Sequence, residues 1–400
     1  MTSQQNRRAF LRGIGAASLG IGLAGCSGDG GSEDGSGGDT PSGDGSTGTG
    51  SSGDGSSGDV QFDLDAIDPQ GLVGKGPYGE EPNAPESVAL SDSEVSEVQS
   101  KEFNVEIVFH FKGDTWVRLQ REAIKKRTSD LGMNITGIHY PDFSAEKQSN
   151  ILETVAQKDN VDGVFSIPVD TAATTDAYQA VLDAGKEIVF MDNVAEGFQH
   201  PSDYAGLVAA DNRGMGTIGG RMMTELVDSG KIIFLEFDVP FYVVDERETG
   251  AKQVLQESGD YEVKTYGFTD PGKVLQVAQD ALTSNPDAAG LGAPWVDAPG
   301  AQAIQAIRQQ GTEIPVTSCD LGERSAVLMA EQSPLKGVGS QQPYAQGLTE
   351  VDVMAKALLG KETPPYIGLP SPPVARQNLL EMYSEILKEE PPETVTKHFQ

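Results

Sequence analysis

From Glu102 onward, short apolar runs alternate with longer amphipathic stretches, and this alternation limits the possible folds more than any other feature of the chain. The apolar runs predict buried strands at Val105–Phe109, Ile135–Ile138, Val164–Ile167 and Ile188–Met191. The stretches between them predict helices over Trp116–Leu131, Ala145–Lys158 and Ala172–Ala184. Strict alternation of strands and helices predicts a parallel sheet with right-handed crossovers.

A second series of the same kind begins after Asp211. Its predicted strands are Ile232–Leu235, Val263–Tyr266, Ala289–Gly292 and Val316–Ser318. Its predicted helices are Met215–Ser229, Val243–Glu257, Lys273–Ser284 and Ala298–Gln310. Roughly 290 residues are too many for one simple doubly wound sheet and suit two. The sequence therefore predicts an α/β fold with two Rossmann-like lobes, each built on a parallel sheet.

The first hundred residues differ from this pattern and predict an exported, anchored protein. Arg7-Arg8 and a short apolar run from Ile14 to Gly25 resemble a twin-arginine export signal over residues 1–25. The run ends Leu23-Ala24-Gly25-Cys26, which resembles a lipobox and implies a lipid anchor on the Cys26 thiol. Residues 26–59 are almost entirely Gly, Ser, Asp and Thr and predict a disordered tether. Residues 60–102 form an acidic lead-in to the α/β part.

The chain is strongly acidic, with a formal net charge of −31. Such self-repulsion destabilises a compact fold unless ions screen it, which indicates a high-salt organism. It argues against nucleic acid as a partner, because phosphates would be repelled. The cysteines are Cys26 and Cys319, so a lipid on Cys26 leaves no disulfide within one chain. The four histidines are widely scattered, and neither a metal nor another cofactor is expected.

Polar side chains follow most of the predicted strands, at the edge where parallel sheets bind their ligands. They include carboxylates, amides and both tryptophans of the chain, Trp116 and Trp295. Carboxylates and amides hydrogen-bond to hydroxyl groups, and an aromatic face packs against the C–H side of a sugar ring. The pattern is therefore typical of a sugar-binding site.

The chain resembles the ribose-type sugar-binding proteins of ABC importers, which have the periplasmic-binding-protein type I fold. The resemblance covers about residues 103–390 and depends on landmarks that occur in the family's order. They are Asp162-Gly163-Val164 with Pro168-Val169-Asp170, Met191-Asp192, Ala210-Asp211-Asn212, Arg247-Glu248-Thr249-Gly250, Cys319-Asp320-Leu321-Gly322 and Gln341-Gln342-Pro343. Each landmark is short, but their shared order extends over most of the globular part.

The resemblance implies two hinged lobes with the ligand in the cleft between them. It implies a first lobe of residues 103–209 plus 342–370 and a second lobe of residues 210–341 plus 371–392. The implied ligand contacts are Trp116, Asp192, Asn193, Asp211, Arg247, Trp295, Asp320 and Gln341. Asn193, Pro294-Trp295 and Cys319 depart from the family's pattern, which leaves the identity of the sugar open.

Each of these residues also has a purely structural interpretation. Arg247 can be a solvated arginine that pairs with neighbouring carboxylates, and a carboxylate after a strand can cap the next turn or helix. The tryptophans can be core residues, and Gln341 can belong to the hinge.

The resemblance implies the substrate-binding component of an ABC importer, which delivers a monosaccharide or polyol to a membrane permease with its cytoplasmic ATPase. The alternatives are a sensory receptor component for a sugar-like signal and a nucleoside-binding lipoprotein. An enzyme is not expected, because neither a Gly-x-Gly-x-x-Gly motif after the first strand nor a Gly-x-Ser-x-Gly elbow is present.

Overall fold

A computed structural model describes residues 60–113, 115–239 and 241–400 of the chain. Within them, two six-stranded sheets are each flanked by helices, which confirms the predicted α/β fold with two lobes. The predicted export signal, the lipidated Cys26 and the tether over residues 26–59 lie outside the described residues.

The strands follow one another along the chain in two groups of five, with one further strand for each sheet near the C-terminus. They are β1 (Asn104–Val108), β2 (Asn134–His139), β3 (Gly163–Ser166), β4 (Glu187–Met191), β5 (Gly206–Ala210), β6 (Gly230–Phe237), β7 (Tyr261–Phe268), β8 (Ala288–Gly292), β9 (Val316–Cys319), β10 (Leu335–Gly339), β11 (Tyr366–Leu369) and β12 (Pro373–Ala375).

Most of the helices connect these strands, whereas two precede β1 and two follow β12. They are α1 (Leu64–Ile67), α2 (Asp92–Gln99), α3 (Thr115–Asp130), α4 (Ala145–Ala156), α5 (Thr175–Asp183), α6 (Asn212–Leu226), α7 (Tyr242–Ser258), α8 (Val274–Ser284), α9 (Ala301–Gln310), α10 (Glu323–Ala330), α11 (Pro343–Leu358), α12 (Leu379–Leu387) and α13 (Glu393–Thr396).

The first lobe is built on a sheet with the strand order β11-β5-β4-β3-β1-β2, in which the strands pair in parallel. Helices cover both faces. Phe165 and Val189 lie in the core under α3 and α11, and Tyr178 and Phe190 lie in the core under α4 and α5. Burial on both faces explains why these strands are nearly continuous apolar runs in the sequence.

The second lobe repeats this arrangement with the strand order β12-β10-β9-β8-β6-β7. The short β12 is antiparallel to β10, and the other pairings are parallel. Its larger core includes Leu291 of β8, Ile304 of α9 and Leu387 of α12. The opposite face of the sheet packs against α6, which contacts β9 and β10.

The chain passes between the two sheets after β5, after β10 and between β11 and β12. The lobes contact each other at the edge where their strands end. Phe241, which follows β6, packs against the first-lobe core, and Leu119 of α3 lies in the second-lobe core. Arg118 Nη1 of α3 lies 2.7 Å from Glu389 Oε1, beyond α12. The structure therefore has the two lobes in contact across the predicted cleft.

Residues 60–102, the lead-in, attach to both lobes. The Phe62 N–H donates to Gln377 Oε1 over 2.7 Å, and Phe62 packs with Met222 of α6 in the second lobe. Further along, Asn83 bridges to Ile367 of β11, and Val98 of α2 lies in the first-lobe core. A segment that the sequence marks only as acidic is thus folded along both lobes.

Three predicted helices begin three residues away from their predicted starts. The helix predicted from Ala172 begins at Thr175. The helix predicted over Ala298–Gln310 begins at Ala301, because the chain first makes a single wide turn over Val296–Gly300 that contains Pro299. The helix predicted from Met215 begins at Asn212, directly after its capping residue Asp211.

Candidate functional site

Two aspartates occupy equivalent positions in the two lobes. Asp192 follows β4 and Asp320 follows β9, and each of these strands is third from one edge of its sheet. Both residues have a positive φ, 57° and 77°, which aspartate tolerates better than most residues do. The two carboxylates are close enough that the charge of Asp320 raises the pKa of Asp192. Each lobe thus contributes one carboxylate at the carboxyl-terminal ends of its strands, where parallel sheets bind their ligands.

Arg247 of α7 holds the carboxylate of the second lobe. Its Nη1 donates to Asp320 Oδ2 over 2.9 Å, and its Nε donates to Asn212 Oδ1 over 2.8 Å. Its side chain is 6% exposed. Burial alone lowers the pKa of Arg247, but the surrounding negative charges, led by Asp320, raise it above its usual value. The site therefore contains a charged guanidinium in a fixed orientation.

Gln341 holds the other oxygen of Asp320. It lies just beyond β10, where the chain passes to the first lobe, and its Nε2 donates to Asp320 Oδ1 over 2.9 Å. The Gln341 Oε1 atom is buried and has no hydrogen-bond partner among the described residues. Both oxygens of Asp320 therefore have donors, and the amide oxygen of Gln341 remains for another molecule.

Asp192 is the more deeply buried carboxylate, with 5% of the residue exposed. Burial raises the pKa of Asp192 to about 6, although the positive charge of Arg247 and a hydrogen bond from Gln346 favour its ionised form. The Gln346 Nε2 atom lies 3.0 Å from Asp192 Oδ1. Asp192 is therefore ionised at neutral pH, and a poorly solvated carboxylate is a strong acceptor for hydroxyl groups.

Asn193 is fully buried, but neither polar atom of its side-chain amide has a hydrogen-bond partner among the described residues. The same holds for Trp116 Nε1. Buried polar atoms are nearly always paired, and an unpaired one costs about 1–3 kcal/mol. Together with Gln341 Oε1, these atoms indicate that a polar molecule completes the site.

The two tryptophans lie at the strand-end edges of separate lobes. Trp116 stands in the first turn of α3 and meets Phe109 and His110 edge to face, at 84° and 67°. Trp295 meets Phe237 at 88°. Burial lowers the pKa of His110 to about 3, so this imidazole is neutral and belongs to the aromatic group around Trp116. Each lobe thus contributes an aromatic surface near the carboxyl-terminal ends of its strands.

Asp211 does not join this set, although the resemblance implied a ligand contact there. Its carboxylate accepts hydrogen bonds from the backbone N–H groups of Val73, Gly74 and Gly214, over 2.8, 2.9 and 2.9 Å. Two of these donors belong to the lead-in, and the third is in the first turn of α6. Asp211 therefore binds the lead-in, through two of its backbone donors, to the point where the chain passes from the first lobe to the second.

Sequence analysis did not select two residues that the structure places in the site. Asn212 orients Arg247, and Gln346 donates to Asp192. Both are buried amides, and each stands in the first turn of a helix that follows a strand of the site edge. That combination is the signal in the sequence that points to them.

An open depression of about 660 Å³ lies at the opposite edge of the first-lobe sheet, lined among others by Asp162, Lys186 and Glu187. The Lys186 ammonium already donates to the backbone oxygens of Lys158 and Val161, over 2.6 and 2.8 Å. None of the residues lining it has a buried, unpartnered side-chain atom of the kind found at Asn193. The strand-end edge between the lobes is therefore the candidate site.

Two α/β lobes thus meet over fixed carboxylates, a buried guanidinium and unpaired amide atoms. The sequence matches the periplasmic binding protein domain family over residues 105–362. The chain belongs to this family, which confirms the family resemblance.

Solved structures of ABC transporter solute-binding proteins have the same fold. One from Agrobacterium vitis, bound to α-D-tagatopyranose, is 20% identical, with a TM-score of 0.65 over 73% of this chain and 100% of that one. One from Mycobacterium smegmatis, with bound glycerol, is 20% identical, with a TM-score of 0.64 over 73% and 99%. One from Bacillus halodurans C-125, with bound myo-inositol, is 20% identical, with a TM-score of 0.63 over 72% and 99%.

A search of curated proteins finds no match. In the part of the chain that the structure describes, no helix has the length and apolar character needed to cross a membrane. The same residues contain no group of three or more His, Cys, Asp or Glu side chains placed to hold a metal ion.

Proposed function

We propose that the protein is the solute-binding component of an ABC-type importer and that it captures a monosaccharide or a related polyol. The observation that carries this proposal is a set of buried, unpartnered hydrogen-bonding atoms on Asn193, which directly follows Asp192, on Gln341, which contacts Asp320, and on Trp116. A polyhydroxylated solute suits such a set because each hydroxyl group donates and accepts at once. The sugars and polyols bound in the similar structures agree with this chemistry.

In this proposal, each polar group has a distinct task. Asp192 accepts hydrogen bonds from solute hydroxyls, the Asn193 amide donates and accepts, and Gln341 Oε1 accepts. Arg247 donates to hydroxyl oxygens with the hydrogens that Asp320 and Asn212 leave free. The Trp116 and Trp295 rings supply apolar surface for the C–H faces of the solute.

Binding and release follow from the two-lobed architecture. We assign residues 103–209 plus 342–370 to the first lobe and residues 210–341 plus 371–392 to the second, so that the hinge lies in the three crossings between the sheets. Closure brings Asp192 of one lobe to Arg247 and Asp320 of the other. Contacts such as Arg118 with Glu389 stabilise the closed form, which a permease recognises. Release of the unchanged solute ends the cycle, without a catalytic step.

The cellular setting in this proposal comes from the N-terminus and the charge. Twin-arginine export places the folded protein outside the cell membrane, where a lipid on Cys26 anchors it and residues 26–59 act as its tether. Its partners are a membrane permease with a cytoplasmic ATPase. The strongly negative charge fits an organism that lives at high salt.

The proposal is tested by thermal unfolding of the purified protein in high-salt buffer against a panel of sugars, polyols and nucleosides. A ligand present at about 100 times its Kd stabilises the folded state by about 2.7 kcal/mol, which raises the melting temperature measurably. We expect one or more sugars or polyols to do so, and we expect Asp192→Ala and Asp320→Ala to abolish the shift.

Asp183→Asn is the matched control, because Asp183 is an exposed carboxylate at the end of α5, and this variant should keep the full shift. If nucleosides alone raised the melting temperature, the proposed solute class would be wrong and nucleosides would take its place. If no solute on the panel changed the melting temperature, the proposed solute class would be abandoned.

A further inference from the structure

A chain of buried polar side chains leads from Asp192 into the first lobe, between α3 and α11. Its members are Gln346 and Glu350 of α11 and Gln120 of α3, and all three are fully buried. Gln346 and Glu350 are four residues apart, so they project from the same face of their helix. Gly347 lets the helices approach closely, because a Cβ atom there would lie 2.9 Å from the Gln120 backbone oxygen.

If Glu350 is ionised, the buried unpartnered acceptors on Gln120, Gln346 and Glu350 outnumber the free donors, because Gln120 Nε2 is the one unpartnered donor among these side chains. Gln346 Nε2 donates to Asp192 Oδ1 over 3.0 Å and to the Val208 backbone oxygen over 3.1 Å. Gln346 Oε1 and both carboxyl oxygens of Glu350 are buried without a donor among the described residues. An ionised Glu350 can only accept, whereas one proton on it supplies a donor to the neighbouring amide oxygen.

We propose that Glu350 is protonated and is a positioning residue for the solute site: its O–H donates to Gln346 Oε1 and thereby holds Gln346 Nε2 on Asp192. This inference rests on the proposed function only in that Asp192 is taken as a solute contact. The reversed amide would turn Gln346 Oε1 toward Asp192 and the Val208 oxygen, which are both acceptors. The proton on Glu350 therefore selects the amide orientation that supports the ionised form of Asp192.

The surroundings of Glu350 favour the protonated form. Burial, followed by the negative charge of Asp192, raises the pKa of Glu350 well above its usual value. The polar groups that face it are the neutral amides of Gln120 from α3 and Gln346 from its own helix, which lower the pKa of Glu350 by less than burial and Asp192 raise it. Asp352, also on α11, instead pairs with Arg127 of α3 over 2.7 Å.

The test compares the wild-type protein with Glu350→Gln and Glu350→Leu and needs no solute. Carbon-13 NMR of labelled aspartate and glutamate carboxyls follows both groups between pH 4 and pH 9. We expect the Glu350 signal to remain that of a protonated acid at pH 7. Glu350→Gln keeps a donor to Gln346 and should leave the pKa of Asp192 unchanged. Glu350→Leu removes it and should raise that pKa by about one pH unit.

Asp352→Asn is the matched control, because it changes a carboxyl of the same helix that does not contact Gln346, and it should leave the pKa of Asp192 unchanged. An ionised Glu350 at pH 7, or an equal pKa of Asp192 in the wild type and Glu350→Leu, would overturn the inference. Since no solute takes part, the result of this test does not depend on whether any solute of the panel binds.

Discussion

Asp192 and Asp320 have the same strand-end position but different surroundings, and this difference separates their tasks. Asp320 has donors on both oxygens, from Arg247 and Gln341, so it orients those two side chains. Asp192 has an amide donor, Gln346, and pairs with Arg247 only through its charge. The Asp192 carboxylate is thus the more available acceptor, and its protonation state controls how well it accepts.

Affinity for the solute found in the panel should fall as the pH is lowered from 7 to 5. The pKa of Asp192 is raised to about 6, so most molecules carry the ionised form at pH 7 and few carry it at pH 5. Only the ionised carboxylate accepts from two hydroxyls without offering a competing proton. Calorimetric titration should show a Kd weaker by about tenfold at pH 5. The Asp192→Asn variant should bind the solute more weakly at pH 7, and its Kd should not change with pH. A wild-type Kd that did not change with pH would contradict the role of Asp192.

At the level of single residues, sequence reasoning located the carboxylates that obey the local rule of strand ends, and their contact with a solute stays a prediction. Asp192 and Asp320 directly follow apolar strands, and the ligand edge of a parallel sheet lies there. It did not find the task of Asp211, because its donors Val73 and Gly74 lie more than a hundred residues away and in a segment without a periodic pattern. Gln346 was missed because its partner Asp192 is equally distant in sequence.

Among the elements, the sequence did not predict the lead-in, the strand β5 or the strands and helices that follow β9. The lead-in attaches through single polar contacts with distant residues, such as Phe62 with Gln377, and through isolated apolar side chains such as Val98, without a repeated apolar pattern. The other strands and helices between β1 and β9 were predicted because burial on regular faces imposes a period on the sequence. Asp211 joins the two kinds of element, since it caps α6 and binds the lead-in.

Asp211→Ala should lower the free energy of unfolding by about 2–4 kcal/mol, because the variant loses the cap of α6 and leaves two further backbone N–H groups without their acceptor. Chemical denaturation at fixed salt measures this loss. Asp63→Ala is the matched control: Asp63 also caps a helix but accepts from a single local N–H, that of Ala66. It should cost about 1 kcal/mol or less. Equal losses in the two variants would contradict the role of Asp211 as a link.

For the whole molecule, charge and lobe closure act against each other. With a formal charge of −31, negative charges repel one another both within each lobe and between the lobes. Closure nevertheless requires the strand ends that carry Asp192 and Asp320 to approach each other. The site meets this requirement locally, because Arg247 pairs with Asp320 and its positive charge also favours the ionised form of Asp192. Away from the site, exposed ion pairs contribute little, and dissolved ions must weaken the repulsion.

The melting temperature should therefore rise as sodium chloride increases from about 0.1 to about 1 M, over which the screening length falls from about 10 to about 3 Å. The gain should level off at higher salt, once the exposed charges no longer interact. Replacing Glu385, Glu390 and Glu393 together by glutamine removes three exposed negative charges near the C-terminus and should reduce the dependence on salt. Sucrose, which stabilises without screening, should act equally on both proteins. A melting temperature independent of salt would mean that the acidic surface is already balanced within the fold.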